Sequence, residues 1–247
     1  MSVTEWVVAG TLRRMTRILC RVDDREMARI PPRGPLILVV NHVNFLDAPL
    51  MYSHLRPRHV TGFAKSETWD NPAMGWLFNV FQAIPLRRGE ADTRAFRKAL
   101  EVLQRGDILG VAPEGSRSND GRLRHGKPGV VMLALKSGAP LQPVAYYGSE
   151  RFHRNIRRLQ RTDFTITVGH PFVLDPRGEK VSREVRQRMT SEIMYQLASI
   201  LPPEYRGQYA NLEAATEDYL RFPSGSQSNL ARAATFGANW AAAPAQG

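Results

Sequence analysis

A histidine and an aspartate lie five positions apart in the segment NHVNFLD, at residues 41–47. An imidazole can accept a proton from a hydroxyl near neutral pH, and a carboxylate on its other nitrogen fixes the tautomer and stabilises the imidazolium. The sequence has no Gly-x-Ser-x-Gly segment to supply a nucleophile, so the attacking hydroxyl would belong to a substrate. We therefore interpret His42 and Asp47 as a candidate general-base pair. The alternative is that Asp47 only caps the helix that contains Pro49.

A second group of polar residues follows the apolar segment ILGVA and reads PEGSRS. A buried strand that delivers a glutamate, a serine and an arginine to one loop is difficult to explain by packing alone. An arginine can bind a phosphate through two parallel hydrogen bonds, and a glycine lets the backbone approach a ligand closely. The candidate binding residues are Glu114, Gly115, Ser116 and Arg117. The alternative is a surface turn with solvated charges.

Basic residues also end the segment FQAIPLRRG, as Arg87 and Arg88, and lie in the segment LRHGKPG, as Lys127. Each of these segments, taken alone, is equally typical of a solvated basic surface. The stretch GRLRHGK imitates the start of a phosphate-binding P-loop, but Pro128 stands where a serine or threonine would bind magnesium. This departure argues against a nucleotide-dependent enzyme.

Short apolar segments bounded by glycine or proline alternate with helix-like segments along the chain. The predicted strands are 36–40, 60–64, 83–86, 108–112, 141–147 and 164–168. The predicted helices are 49–55, 72–81, 92–104, 128–137 and 182–200. This alternation predicts an α/β domain with a largely parallel central sheet flanked by helices. Both polar groups follow predicted strands, and ligands of such sheets bind beyond the carboxyl ends of the strands.

The chain has 247 residues, a length that favours one large domain. We place this domain at residues 31–210, after an amino-terminal helical segment at residues 1–30. The remainder, residues 211–247, is a carboxyl-terminal extension. From about residue 222 its composition is rich in alanine, glycine and serine and poor in charge, which predicts disorder.

The composition is strongly basic, with 34 lysines and arginines against 23 aspartates and glutamates, for a formal net charge of +11. This excess predicts an anionic partner, which charge alone does not identify. No nucleic-acid-binding motif accompanies the arginines, so we expect no nucleic acid partner. The one cysteine, Cys20, excludes an intrachain disulfide. No stretch approaches the roughly 20 apolar residues of a membrane span, and the start does not resemble a signal peptide, so we expect a cytoplasmic protein, soluble or peripheral.

Residues 3–20 interleave apolar side chains with arginines at helical spacing, which predicts a basic amphipathic helix. Its apolar face can pack on the domain or contact a membrane, and periodicity does not separate the two. Helical spacing also predicts a basic ridge formed by Arg154, Arg157, Arg158 and Arg161. Such a ridge would face anionic lipid, an acidic carrier protein or only solvent.

In their order and spacing, these motifs resemble those of the lysophosphatidic acid and glycerol-3-phosphate acyltransferase family. Asn41, His42 and Asp47 match the catalytic His-x4-Asp motif and the asparagine before it. The segment AIPLRR resembles the second motif, whose final arginine corresponds to Arg88, and EGSRS is similar to the third, with serine for threonine. The segment APLQPVA resembles the fourth motif. Gln82 departs from the family, which often has glycine before the second motif.

The resemblance covers residues 35–147 and implies a glycerol-3-phosphate acyltransferase-like α/β fold and an acyl transfer reaction. It implies acyl-CoA or acyl carrier protein as the donor and 1-acyl-glycerol-3-phosphate as the acceptor, with phosphatidic acid as the product. No metal or organic cofactor is implied. The expected location is an anionic membrane surface, the inner face of the cell membrane. Another lysolipid or hydroxylated lipid acceptor, or a non-catalytic module that binds anionic lipid, remain alternatives.

The resemblance also implies roles for individual residues. His42 would take the proton from the acceptor hydroxyl as it attacks the thioester carbonyl, while Asp47 holds the imidazole in register. Lys65, which lies in the segment GFAKSE, matches a family position near the acceptor phosphate. Arg88, Arg117 and the weaker candidate Lys127 would bind the same phosphate.

Overall fold

The computed structural model describes residues 2–55, 57–87, 92–231 and 233. The strands are β1 (Cys20–Asp23), β2 (Leu36–Val40), β3 (Val60–Lys65), β4 (Ile84–Leu86), β5 (Ile108–Val111), β6 (Leu141–Tyr147), β7 (Thr162–Val168), β8 (Val173–Leu174) and β9 (Leu220–Arg221). The α-helices are α1 (Val3–Leu19), α2 (Asp47–His54), α3 (Pro72–Val80), α4 (Thr93–Gln104), α5 (Gly129–Ser137), α6 (Phe152–Arg157) and α7 (Arg183–Ala198). Short 3-10 turns lie between several of them.

A seven-stranded sheet with the order β1-β7-β6-β2-β5-β3-β4 forms the centre of the domain. Strands β6, β2, β5, β3 and β4 run parallel to one another. Strand β7 runs antiparallel to β6, and β1 pairs with β7 in parallel. The predicted α/β class with a largely parallel sheet is therefore confirmed.

Strand β2 explains why this sheet forms three layers. All five of its residues, LILVV, are buried, because its side chains alternate between two covered faces of the sheet. Ile37 and Val39 belong to a core cluster with α4, α5 and α7. Leu36 and Leu38 belong to a second cluster with α1 and α2. The central strands thus place their carboxyl ends at one edge of a well-buried layer.

Helix α1 packs on the second face of the sheet, but with only part of its apolar surface. Ala9 is fully buried and Leu12 packs against the core. Glu5, which is also buried, anchors the helix through His59, whose Nδ1 lies 2.7 Å from Glu5 Oε1. The exposed large apolar side chains of α1 are Val3, Trp6, Val7, Met15 and Ile18. The helix therefore has one stripe against the domain and a second stripe facing outward.

The first difference from the sequence prediction lies at the end of α1. The helix stops at Leu19, and the unpredicted strand β1 begins at Cys20, where it pairs with Thr162 of β7. The segment CRVD has no clear strand pattern of its own. Its extended conformation depends on the neighbouring strand, which is distant in the sequence.

The predicted basic ridge is wrong for Arg161. Helix α6 ends at Arg157, and Leu159 adopts a left-handed backbone with φ of 55°, so the chain turns before Arg161. The guanidinium of Arg161 donates a hydrogen bond to the carbonyl of Cys20 at 2.7 Å. The other three arginines of the ridge, Arg154, Arg157 and Arg158, are exposed.

Defined contacts also continue past residue 222, where disorder was expected to begin. Asn229 is buried, and its side-chain amide donates to the carbonyl of His170 at 3.1 Å and to Gln196 Oε1 at 2.9 Å. The rest of the expected disordered tail, residues 232 and 234–247, lies outside the described residues.

Candidate active site

His42 and Asp47 form a hydrogen-bonded pair in the loop that follows β2. His42 Nδ1 lies 2.8 Å from Asp47 Oδ2. The same oxygen accepts the backbone N–H groups of Val43 at 2.7 Å and of Asn44 at 3.0 Å. Asp47 is buried, whereas the His42 side chain is 23% exposed. This arrangement favours a hydrogen on Nδ1 and leaves Nε2 as the acceptor of a proton.

Asp47 does not cap α2, which was the alternative interpretation of this residue. A capping carboxylate accepts N–H groups two or three residues after it. The carboxylate of Asp47 instead accepts N–H groups of Val43 and Asn44, which precede it. The turn of the chain between His42 and Asp47 is thus closed by the aspartate itself.

Two buried asparagines fix this loop to strand β6 and to the turn that follows it. Asn41 donates its side-chain amide to the carbonyl of Tyr146 and accepts the N–H of Tyr146, both at 2.7 Å. Asn44 donates to the carbonyl of Ser149 at 2.8 Å and accepts the N–H of Leu46 at 2.9 Å. Each asparagine uses one donor and one acceptor, a combination that an aspartate cannot supply when ionised. The loop that carries His42 and Asp47 is therefore held in place by contacts within the protein.

Glu114 connects the loop after β5 to the loop after β2. Its Oε1 accepts the backbone N–H of His42 at 2.9 Å, and its Oε2 accepts the N–H of Arg124 at 3.0 Å. Burial, opposed by these hydrogen bonds, raises the pKa of Glu114 to about 7. Both carboxylate oxygens thus face backbone donors, and Glu114 positions the main chain of His42.

The glycine of the loop after β5 allows a lysine to approach. Gly115 has φ of 70°, a left-handed conformation that glycine adopts without strain. A Cβ at this position would lie 3.1 Å from Lys127 Nζ. The backbone N–H of Lys127 donates to the carbonyl of Pro113 at 2.8 Å. Gly115 therefore lets the lysine ammonium lie close to the loop that carries Arg117.

A cavity of about 480 Å³ opens beside the His42–Asp47 pair, a volume within the usual range of small-molecule sites. Its basic lining residues are Lys65, Arg87, Arg117 and Lys127. Its apolar lining residues include Met51, Phe63, Phe78, Leu86, Phe96, Val130 and Leu133. A cavity with apolar walls and several cations suits a ligand with a hydrocarbon chain and an anionic group.

Two glycines on adjacent strands widen the interior of this cavity. Gly62 of β3 is the register partner of Gly110 of β5, and both line the cavity with Met51 of α2. A Cβ on Gly110 would lie 2.5 Å from Met51 Sδ, and one on Gly62 would lie 3.0 Å from the carbonyl oxygen of Gly110. Side chains at these positions would therefore collide with the floor of the cavity.

Most residues predicted from the sequence meet at this cavity. Those that line it are His42, Asp47, Lys65, Gly115, Arg117 and Lys127. Two other predicted residues that the structure describes, Glu114 and Ser116, are not among the lining residues. Ser116 is half-buried, and Glu114 supports the backbone as described above. Arg88 lies outside the described residues.

The cations of the cavity differ in their surroundings. Lys65 Nζ lies 2.9 Å from Glu67 Oε1, so part of its charge is already neutralised. Within the described part of the chain, no salt bridge involves Arg117 or Lys127. Arg87, which the sequence comparison placed behind Arg88, also lines the cavity. The arginine doublet in the sequence was a signal for this residue.

No metal site or membrane span was found in the part of the chain that the structure describes. Its His, Cys, Asp and Glu side chains do not form any group of three or more arranged to hold a metal ion. None of its helices combines the length and apolar character needed to cross a membrane.

The family of the chain follows from the fold, the motifs and a direct match. A family model described as "Acyltransferase" matches residues 21–147, which is 127 of the 247 residues. The matched segment contains the histidine and aspartate pair, the loop after β5 and the basic residues of the cavity. The chain belongs to this acyltransferase family, and the resemblance inferred from the motifs is confirmed.

Individual relatives agree with this assignment. The chain is 38% identical over 117 residues to a lyso-ornithine lipid O-acyltransferase of Pseudomonas aeruginosa, which is 46% of this chain and 43% of that protein. It is 29% identical over 175 residues to a 1-acyl-sn-glycerol-3-phosphate acyltransferase of Borreliella burgdorferi, which is 70% of this chain and 68% of that protein. The match thus spans less than half of the Pseudomonas relative.

A solved structure shares the fold. The crystal structure of the 1-acyl-sn-glycerophosphate (LPA) acyltransferase PlsC from Thermotoga maritima superposes with a TM-score of 0.57 at 26% sequence identity. The superposition covers 76% of this chain and 75% of that one. The expected acyltransferase-like α/β architecture is therefore found in an experimental relative.

Proposed function

We propose that this protein transfers a fatty acyl group from a thioester donor to the hydroxyl of 1-acyl-glycerol-3-phosphate, giving phosphatidic acid. The observation that carries the proposal is the His42–Asp47 pair, at 2.8 Å, on the wall of a cavity that joins apolar and basic residues. Relatives named 1-acyl-sn-glycerol-3-phosphate acyltransferases support this acceptor.

The reaction uses His42 as a general base. Its Nε2 takes the proton of the acceptor hydroxyl while the hydroxyl oxygen attacks the thioester carbonyl carbon. The tetrahedral intermediate then collapses, the carbon–sulfur bond breaks, and the imidazolium returns the proton to the leaving thiolate. Asp47 stabilises the imidazolium and keeps the ring in orientation. General-base assistance of this kind typically contributes about 10²- to 10⁴-fold, so positioning of the two substrates supplies much of the remainder.

Substrate binding divides between the two kinds of cavity wall. Arg117 and Lys127 bind the acceptor phosphate, helped by Lys65 and by an arginine of the doublet, Arg87 or Arg88. Guanidinium groups suit this task because they offer paired donors to phosphate oxygens. The apolar residues of the cavity hold the acyl chain. The donor is acyl-CoA or acyl carrier protein, since both carry the same thioester.

We infer that the reaction takes place at an anionic membrane surface, on the cytoplasmic face of the cell membrane, because the proposed acceptor is a lipid. The net charge of +11 favours that surface. The exposed apolar stripe of α1, which includes Trp6 and Ile18, would add contact with the lipid. An enzyme bound at the surface would meet a lysolipid that diffuses in the plane of the membrane.

Transfer to a lyso-ornithine lipid is a second candidate. It rests on the 38% identity to the lyso-ornithine lipid acyltransferase of Pseudomonas aeruginosa. The ornithine head group of that acceptor carries one carboxylate, which arginine and lysine also bind, together with an ammonium, whereas a phosphate monoester carries up to two negative charges and no cation. The cations Arg117 and Lys127 therefore favour the phosphate-bearing acceptor.

Purified protein should be incubated with long-chain acyl-CoA and lysophosphatidic acid, and thiol release and phosphatidic acid should both be followed. We expect product with the wild-type protein and loss of product with His42→Ala. Parallel reactions with lyso-ornithine lipid, and with acyl carrier protein as donor, would identify another acceptor or donor. Lipid binding without turnover in any combination would favour the non-catalytic module and reject the enzyme.

A further inference from the structure

A turn beside the catalytic loop carries an apolar residue that nothing in the described chain covers. Leu159 follows α6 and is 96% exposed, with a left-handed φ of 55°. Isolated exposed apolar residues are common on proteins, but a leucine in this strained conformation is not, because β-carbon contacts disfavour it. Ile156, one turn earlier, is 40% exposed. The acyl transfer chemistry uses neither residue.

Helix α6 is attached directly to the catalytic loop. Asn44, between His42 and Asp47, donates its amide to the carbonyl of Ser149 at 2.8 Å, just before α6. The next residue, Phe45, packs edge-on against Phe152 of α6, with ring centroids 5.5 Å apart. Phe45 is itself 42% exposed. The exposed apolar surface therefore continues from α6 onto the loop that carries the proposed base.

The turn after α6 is also attached to the end of α1. Arg161 donates hydrogen bonds to the carbonyls of Arg17 and Cys20, which lie at the carboxyl end of that helix. Ile18, between these two residues, is 64% exposed. The arginine thus holds the leucine turn beside the outward stripe of α1. The three segments that carry these exposed apolar side chains are thus joined to one another by hydrogen bonds and by the contact between Phe45 and Phe152.

Arginines surround this apolar region. Arg154, Arg157 and Arg158 are exposed, and none of them forms a salt bridge with another described residue. Unpaired arginines around exposed apolar tips match an interface in which apolar groups enter lipid while cations meet anionic head groups. A small acidic protein could pair with the three arginines. It would not offer the continuous apolar layer that could bury the side chains of Leu159, Ile156 and Phe45 together.

We propose that α6 and its terminal turn, together with Phe45, dock the catalytic loop on an anionic lipid bilayer. This inference rests on the proposed function, because it explains how the acceptor hydroxyl reaches the base. The α6 contact is additional to the stripe of α1 and fixes the orientation of the domain. Leu159 enters the lipid, and the three arginines bind head groups.

The insertion can be tested with one fluorophore, because the only native cysteine, Cys20, is buried. The full chain with Leu159→Cys is labelled with an environment-sensitive dye. Adding vesicles of equal parts phosphatidylglycerol and phosphatidylcholine should shift its emission to the blue, whereas pure phosphatidylcholine should not. The control is Gln104→Cys, which is exposed at the end of α4. An unchanged spectrum at Leu159→Cys, or an equal shift at the control, would overturn insertion.

The charges are tested by vesicle sedimentation of an Arg154→Gln, Arg157→Gln, Arg158→Gln variant. Each arginine near an anionic membrane typically contributes about fivefold to binding, so the variant should bind roughly 100-fold more weakly. Removing three exposed charges from α4 with Arg94→Gln, Arg97→Gln and Lys98→Gln gives a matched control. A similar loss in both variants would mean a general charge effect and would contradict a site at α6.

Catalysis separates this inference from the proposed function. The α6 variant should lose activity on acceptor presented in anionic vesicles and keep it, within about twofold, on acceptor dispersed in detergent. If the wild type has no transferase activity, the proposed function fails while the vesicle results still decide the docking surface. If the variant binds vesicles normally but loses binding to acidic acyl carrier protein, the bilayer is the wrong partner and the inference fails.

Discussion

The backbone N–H of His42 donates to the carboxylate of Glu114 at 2.9 Å, so a residue of the loop after β5 positions the proposed base after β2. The other carboxylate oxygen binds the N–H of Arg124. The two loops can share one side chain because their strands are parallel neighbours whose carboxyl ends lie side by side. The proposed base therefore depends on a residue that does not line the cavity.

Glu114→Gln should lower turnover, and its effect on stability should depend on pH. A glutamine has one acceptor oxygen, and its NH₂ group would face a backbone donor, so one buried N–H loses the partner that the ionised carboxylate gives it, at a cost of about 1–3 kcal/mol. We expect kcat to fall more than KM rises, because the base moves while the cavity cations stay in place. Urea unfolding and steady-state kinetics measure the two effects. Glu101→Gln, on the exposed side of α4, should change neither.

The same variant tests a pH dependence. Burial raises the pKa of Glu114 from 4.5 to about 7, so folding favours its protonated form. The resulting stabilisation is full below pH 4.5 and is lost as pH rises through about 7. The difference in unfolding free energy between wild type and Glu114→Gln should therefore shrink by up to roughly 3 kcal/mol over that window. A difference that grows with pH would mean that the carboxylate is ionised in the folded protein throughout.

Asp47→Asn should reduce kcat by about 10²- to 10⁴-fold with little change in KM. The neutral amide removes the charge that stabilises the imidazolium and permits the wrong tautomer of His42. Because the two residues act as one unit, Asp47→Asn combined with His42→Ala should be no slower than His42→Ala alone. Kinetics of thiol release measure all three variants. Multiplying effects in the double variant would indicate that the residues act independently.

Gly110→Ala should shorten the acyl chain that the protein accepts. The new Cβ would lie 2.5 Å from Met51 Sδ, and moving the methionine narrows the cavity at a cost of about 1–3 kcal/mol. We expect kcat/KM to fall for long-chain donors and to hold for short ones. Adding Met51→Ala to this variant should restore kcat/KM for long-chain donors. Gly75→Ala in α3, a residue that does not line the cavity and where an added Cβ would lie 3.3 Å from Trp69 Cδ1, is the control. A uniform loss over all chain lengths would exclude a role in chain selection.

The parts of the fold and of the site that could be predicted from the sequence were predictable for one physical reason. Strand β2 is buried on both faces, so its five residues form a continuous apolar run that marks it in the sequence. The motif after such a run necessarily lies at the edge where ligands bind, which located His42 and Asp47. The pairing of Gly62 with Gly110 could not be predicted, because register between strands depends on three-dimensional contacts that local patterns do not encode.

Glu114 illustrates a second limit. Its residue type, in a loop with Ser116 and Arg117, favoured a contact with substrate. The partners of its carboxylate are backbone N–H groups, which every residue except proline carries and which leave no trace in the sequence. Residue types therefore pointed to a loop that lies at the cavity, but they could not separate a residue that lines the cavity from one that supports it.

The departure from the family at Gln82 leads to a prediction about stability. It stands where the family often has glycine, and its φ of 52° lies in the left-handed region, which costs a residue with a Cβ about 1–2 kcal/mol. Its side chain is exposed, and its carbonyl accepts a hydrogen bond from Thr61 Oγ1 at 2.9 Å, a bond that glycine keeps. Gln82→Gly should therefore raise the unfolding free energy by about 0.5–1 kcal/mol, after the entropy of the more flexible unfolded chain is subtracted. Gln187→Gly, inside α7, should lower it by about 1 kcal/mol in the same urea titration. A loss of stability at Gln82 would mean that the glutamine side chain, and not the backbone strain, dominates at this turn.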